Sequence, residues 1–279
     1  MLSILMPAKD EEHYLPRALS SIRSQDFKDL EIIVADAKST DNTVQIAEDF
    51  GCKVVEGGLP GIGANAAARA ASGETLLFLA ADIFLPEGFI SRNLREFSDR
   101  RLVCATTDYV PISNWKGDHF VVGLYNVYAR LTQRVYPMAG GFCIFSTKKV
   151  FDVVNGFDER IKMGEDFEYV KKCAAQGRFG ILDSVPIHVD IRRLEKDGRL
   201  SLARKYIQGY FHRIFKGEMY EVPFEYDMQG VNVGKEASRD RNEHEQGRDR
   251  SRRDTLNSTP CQDSLRRPRH RQRGRRTRS

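Results

Sequence analysis

The sequence predicts an α/β fold built on a mainly parallel central sheet, and three short apolar runs carry that expectation. Residues 3–6, 32–34 and 76–79 are rich in Ile, Leu, Val and Phe, and each is followed by polar or acidic residues: Pro7-Ala8-Lys9-Asp10-Glu11-Glu12, Asp36 and Asp82. Uninterrupted apolar runs of this length suit strands buried on both faces, as in parallel sheets, whose ligands sit at the carboxyl ends of the strands. Asp36 and Asp82 are therefore candidates for one ligand site.

The elements follow in order. Leu15, Ala18, Leu19 and Ile22 recur at helical spacing after the first strand, with Glu11-Glu12 near the helix start, where carboxylates suit the dipole. The Ser39-Thr40-Asp41-Asn42 cluster offers N-caps to a helix carrying Val44, Ile46, Ala47 and Phe50, which stops at Gly51. Val54-Val55 is a short third strand, 64–71 an Ala-rich helix and 76–79 the fourth strand. Such alternation predicts right-handed crossovers. Beyond it, strands at 102–107 and 141–145 enclose an aromatic-rich helical stretch at 121–135, which suggests mixed pairing on the far side of the sheet. A helix at 166–177 buries Phe167, Val170, Cys173 and Ala174. The last helix, 200–215, is amphipathic, which fits either packing on the core or lying on an anionic membrane.

With 279 residues, 41% of them hydrophobic, the chain has enough apolar material for one large or two small domains. The net charge of +5 is unevenly placed: residues 228–279 hold 15 Lys and Arg against 7 Asp and Glu, and no Phe, Tyr or Trp. Such a segment buries too little apolar surface to offset its ordering entropy, so 218–279 is expected to be a basic, disordered tail. Arg-rich tails can bind RNA by counterion release, but here a solvated appendage is favoured and nucleic acid is not an expected partner. Cys52, Cys104, Cys143, Cys173 and Cys261 form no CxxC pair, which argues against a disulfide framework or a zinc site. Lacking a twenty-residue apolar run or a leader pattern, the chain is expected to be cytoplasmic, with attachment to the inner face of the membrane left open.

Gly61-Ile62-Gly63-Ala64-Asn65-Ala66 satisfies the dinucleotide pattern GxGxxA, with Asp82 at a suitable distance. That motif needs its first glycine directly after a strand, and Glu56-Gly57-Gly58-Leu59-Pro60 intervenes. The strand-end acids suggest instead a nucleoside diphosphate whose charge is neutralised by a divalent cation on carboxylate oxygens, Asp82 among them. A sugar hydroxyl attacking such a donor needs a base, and Asp166, at a helix start after Gly164-Glu165, can serve.

These segments together resemble family 2 glycosyltransferases. Pro7-Ala8-Lys9-Asp10-Glu11-Glu12 is similar to their P-x-x-N-E-E opening, and Val34-Ala35-Asp36-Ala37-Lys38-Ser39-Thr40-Asp41-Asn42-Thr43 to their V-D-D-G-S-T-D-N-T turn. Gly63-Ala64-Asn65, Gly73-Glu74 and Phe78-Leu79-Ala80-Ala81-Asp82 resemble the stretch ending in F-L-D-A-D. Gly140-Gly141-Phe142, Asn155-Gly156-Phe157-Asp158-Glu159 and Gly164-Glu165-Asp166 resemble the acceptor side. The resemblance covers 1–217, with a nucleotide-sugar half at about 1–100 and an acceptor half at about 101–217.

It implies a Rossmann-like GT-A fold, a UDP- or GDP-linked sugar donor, Mn²⁺ or Mg²⁺, and inversion at the anomeric carbon. Carried over by motif, Pro7, Ala8, Glu11, Asp36, Asn65 and Ala81 face the nucleotide, Asp82 the metal, Gly140, Gly141 and Glu165 the acceptor, and Asp166 is the general base. Asp36 as a turn residue and Asp166 as a helix cap remain open alternatives. Two departures stand out. Ala80 replaces the first acid of D-x-D, and Ala37-Lys38 replaces Asp-Gly, so a metal ligand and a turn glycine are missing. His188, one strand after the Asp166 helix, resembles a metal-ligating histidine of some GT-A enzymes, although lone histidines are usually structural. Arg192-Arg193 resembles an Arg-Arg segment suited to a diphosphate leaving group, with a solvated turn as the alternative. The acceptor expected is a sugar or a lipid-linked sugar. A catalytically weak nucleotide-sugar-binding module is the competing reading.

Overall fold

The central strand is β1 (Leu2–Ala8), buried on both faces as its apolar run requires, with β2 (Leu30–Asp36) and β4 (Thr75–Leu79) paired to it in parallel on either side. The computed structural model describes residues 1–190 throughout and, beyond them, 198, 204, 208–209, 212–213, 217–220, 227–228 and 231–232. The predicted helix at 200–215 and the tail fall largely or wholly outside these. With β3 (Lys53–Glu56), β6 (Cys143–Thr147), β5 (Cys104–Ile112) and β7 (Phe179–Asp190), the sheet has seven strands in the order β3-β2-β1-β4-β6-β5-β7. Only β6 runs antiparallel to its neighbours, so the sheet is mixed but mainly parallel.

Residues of β1 alternate between two cores. Leu2, Ile4 and Met6 meet α1 (Leu15–Arg23) and α4 (Phe89–Asp99), while Leu5 lies with Ala64, Ala67 and Ala68 of α3 (Pro60–Arg69) and with Tyr169 and Val170 of α7 (Glu165–Ala174). The small residues of α3 let it ride close to the sheet: a Cβ at Gly63 would sit 3.2 Å from the Pro7 Cβ. Phe157 stacks on Tyr169 at 4.1 Å beneath this layer.

Several boundaries differ from expectation. The helix expected at 64–71 begins at Pro60, because proline is pre-shaped for the first helical position. Gly61 and Gly63 therefore lie inside a helix rather than in a strand-to-helix turn, which disposes of the dinucleotide motif. The helix expected at 121–135 is α5 (Lys116–Thr132). Strand β5 runs on to Ile112 through a bulge between Thr107 and Tyr109, a feature that residue pattern alone does not reveal. Helix α6 (Lys148–Val153) and α4 were not anticipated; α6 is short, and its N-cap Thr147 accepts a hydrogen bond from the Val150 N–H.

Lys38, at the position of the turn glycine in the family motif, adopts φ +60°. Left-handed backbone costs a side-chain-bearing residue about 1–2 kcal/mol, of which glycine's extra unfolded-state freedom returns about half. Lys38→Gly is therefore expected to stabilise the fold by about 0.5–1 kcal/mol in urea unfolding at unchanged m-value; a loss of stability would show that the turn relies on the lysine side chain.

Candidate active site

Two loops at the carboxyl ends of β1 and β2 are stitched together. Asp10 Oδ1 accepts from the Thr40 N–H at 2.7 Å, the Glu11 N–H donates to Thr43 Oγ1 at 2.8 Å, and the Glu12 N–H donates to Asp41 Oδ2 at 3.1 Å. Glu12 Oε2 in turn accepts from the Asn42 side chain at 2.9 Å. The 39–42 cluster thus ties the first loop in place. Of its expected capping work, the structure retains Asp41, whose Oδ1 accepts from the Thr43 N–H ahead of α2 (Thr43–Asp49). Asp36 pairs in register with Ala8, and its carboxylate accepts from the Ser39 N–H at 3.1 Å. Glu11 is buried, as is the Ala8 backbone, whose carbonyl accepts from Ala37. Pro7, Ala8, Glu11 and Asp36 are thereby gathered at one sheet edge.

Asp82 follows β4 on the other side of β1, after a buried Ala81. Ala80, in the place of an expected acid, packs against the core, and its N–H donates to the Phe142 carbonyl at 3.3 Å, linking this strand end to the acceptor-side loop. His188 is exposed on β7, where its backbone bridges to Phe84, two residues past Asp82. Among the described residues, no three His, Cys, Asp or Glu side chains gather into a group that could hold a metal ion. A cation bound here would need ligands from elsewhere, which suits Mg²⁺-like ions that take one or two carboxylates and complete their shell with substrate phosphates and water.

Asn65 of α3 bonds to the acceptor-side segment. Its Nδ2 donates to the Phe157 carbonyl and to Glu159 Oε1, both at 2.9 Å, and its Oδ1 accepts from the Phe157 N–H at 2.9 Å. Its amide is thus committed to the 155–159 turn, where Gly156 holds φ +63° and a Cβ would approach Asn65 Oδ1 to 2.3 Å.

Asp166 stands in the first turn of α7, after Gly164 at φ +83°. Oδ1 accepts from the Phe167 N–H at 2.8 Å and Oδ2 from the Gly141 N–H at 2.7 Å. Gly140 donates to the Tyr109 hydroxyl oxygen at 2.7 Å, so the 140–142 loop wraps the carboxylate. Burial lifts Asp166 to about 6, against the opposing pull of Arg213 and the two backbone N–H groups. Glu165, 8% exposed and beside Gly61 of α3, is pushed up to about 8 by burial and then by the Asp166 charge.

Three residues that sequence reasoning did not place in the site surround this acid. Tyr109 stacks on Tyr125 at 5.7 Å and meets Phe142 edge-on at 5.9 Å, and burial followed by the Asp166 charge raises the Tyr125 phenol. Arg213 lies over the Phe167 ring at 3.9 Å, and its buried Nε and Nη1 have no hydrogen-bond partner among the described residues. Only the aromatic richness of 121–135 hinted at any of them. Arg192 and Arg193 lie outside the described residues.

The family model for glycosyl transferase family 2 matches residues 3–153, more than half of the chain, and stops before α7. The hyaluronan synthase of Pasteurella multocida is 27% identical over 212 residues, which is 71% of this chain but 22% of that protein. The GalNAc(5)-diNAcBac-PP-undecaprenol beta-1,3-glucosyltransferase of Campylobacter jejuni is 43% identical over 49 residues, 18% of this chain and 16% of its own length. The chain thus spans about a fifth of the curated relatives it matches. Among solved structures, the mannosyltransferase PcManGT from Pyrobaculum calidifontis, in complex with GDP-Man and Mn²⁺, superposes with a TM-score of 0.60 at 20% identity, over 78% of this chain and 65% of that one. The fold is GT-A, and the chain belongs to glycosyl transferase family 2.

Proposed function

We propose that this chain is the catalytic domain of an inverting glycosyltransferase that moves a sugar from a nucleoside-diphosphate donor to an acceptor hydroxyl, with Asp166 as the base. The supporting observation is the Asp166 carboxylate, raised to about 6 and held by the Gly141 and Phe167 N–H groups beside an aromatic wall. A base in that range is mostly ionised near neutral pH yet still takes a proton readily. The acceptor oxygen forms the new bond to the anomeric carbon as its proton passes to Asp166. The bond from that carbon to the donor phosphate breaks on the opposite face, and the nucleoside diphosphate leaves. A single displacement of this kind inverts the centre.

Pro7, Ala8, Glu11 and Asp36 would hold base and ribose on the stitched loops. Arg213, whose buried Nε and Nη1 have no hydrogen-bond partner among the described residues, would meet phosphate oxygens as negative charge accumulates on the leaving group. Asp82, with His188 on the strand that bridges to Phe84, would hold Mn²⁺ or Mg²⁺ jointly with the donor's diphosphate. The ion supplies charge neutralisation of the leaving phosphates.

In a thermal-shift titration, UDP or GDP is expected to raise the melting temperature far more with Mn²⁺ than without it. Asp82→Ala should weaken the metal-dependent binding at least tenfold, about 1.4 kcal/mol. An unchanged titration would remove Asp82 from the metal site. Ala80, in place of an acid, favours one competing reading, a binding module with little turnover. Donor hydrolysis with Mn²⁺ and no acceptor separates the two, since a dead module gives none.

A further inference from the structure

Helix α5 has two very different sides. Its inner side is pinned to the sheet: Asn126 brackets the Tyr109 backbone at the β5 bulge, with its Oδ1 accepting at 3.2 Å and its Nδ2 donating at 2.9 Å. Arg130 forks onto Asp108 and also reaches Asp183 on β7. Tyr125, one turn earlier, lies beside Asp166. The outer side carries Phe120, Leu124, Val127 and Leu131 at the i, i+4, i+7 and i+11 spacing of one helical face, with Val121 beside them and Val135 just past the helix end. Their exposure is extreme for apolar side chains: Phe120 is 73%, Leu131 80% and Val135 90% accessible. A continuous stripe of this size on a folded domain marks an interaction surface.

We propose that this face of α5 docks on an anionic phospholipid bilayer. The charges choose the partner. Lys116 at one end of the stripe and Arg134 at the other are exposed, whereas the acid on the helix, Asp118, is buried and accepts from Ser113. The exposed rim is thus cationic, so two copies meeting face to face would bring like charges together, while an anionic headgroup layer receives them. Residues 228–279 add charge of the same sign and lack the aromatics needed to cover the stripe. Trp115 at the helix start is 55% exposed, and its ring lies over Gly117, where a Cβ would approach it to 2.4 Å; an indole suits the interface between headgroups and acyl chains.

The consequence reaches the chemistry. Seated this way, the bilayer surface lies about one helix diameter, ~10 Å, from Tyr125 and the carboxylate beside it. A sugar anchored by a lipid would then be delivered to Asp166 along α5. That last step rests on the proposed transferase activity; the docking does not, and its readouts involve no turnover.

The chain's single tryptophan makes the test direct. The full-length protein should co-sediment with phosphatidylglycerol/phosphatidylcholine vesicles and at least tenfold less with phosphatidylcholine alone. Trp115 emission should shift to the blue on binding and be quenched by brominated acyl chains. Combining Phe120→Ser, Leu124→Ser and Leu131→Ser should abolish the shift and lower partitioning at least tenfold, at an unchanged melting temperature. Should that variant not fold, quenching of the wild-type tryptophan decides alone. Co-sedimentation with unshifted, unquenched Trp115 would mean attachment through the basic tail and would overturn the proposal. So would no binding to anionic vesicles, or a concentration-dependent dimer in sedimentation velocity whose Trp115 shifts without lipid.

Discussion

Asp166→Asn is expected to lower the transfer rate by about 10²–10⁴-fold while leaving nucleotide binding intact, the loss typical of removing a positioned base. The amide preserves the shape of the side chain but cannot take the acceptor's proton. In the wild type the rate should fall about tenfold per pH unit below about 6, because burial lifts the carboxylate to that value and only the ionised form is active. The variant's residual rate should lack this limb. Initial rates of nucleoside-diphosphate release across pH 5–8, with calorimetric donor binding alongside, check both parts. Full turnover in the variant would reduce Asp166 to a helix cap.

Glu165→Gln should stabilise the protein, and only at higher pH. Folding raises this acid from 4.5 to about 8, so between those values the native state binds more protons than the unfolded chain. Stability therefore falls as pH rises through that window and the full cost is present above it. The neutral amide avoids that cost, by about 2–4 kcal/mol at pH 8 and by nothing near pH 4. Thermal unfolding from pH 4 to 9 should show the curves of the two proteins meeting at the acid end and diverging towards pH 8. The variant should keep the smaller decline that Asp166 imposes between 3.8 and about 6, for the same reason. A variant no more stable at pH 8 would mean that Glu165 stays ionised with a partner.

The first ninety residues were largely legible because each of their signals is local. Strands buried on both faces read as apolar runs, and β1, β2 and β4 lie where those runs stand, with Asp36 and Asp82 on either side of β1. The errors there were of boundary and partner: Pro60 started α3 early, and the hydroxyls and carboxylates of 39–42 bond mainly to loop 10–12 across the sheet edge. Asn65 illustrates the limit. Its motif position suggests a ligand contact, but its amide is satisfied by a turn more than ninety residues later, a pairing no local pattern encodes.

By itself, then, the sequence determined the parallel sheet, the acids at its carboxyl edge and Asp166 at a helix start, since periodicity and strand-end chemistry are properties of neighbouring residues. Only the tertiary structure decided what surrounds that acid. The Gly141 N–H, the Tyr109 and Tyr125 rings and Arg213 come from segments 25 to 57 residues away; burial of the carboxylate lifts its affinity for a proton, and the Gly141 N–H and Arg213 hold that rise in check. It also decided which side of α5 faces inward: both sides read as apolar and aromatic, and the bonds of Asn126 and Arg130 to β5 turn one side to the site and leave the other to solvent.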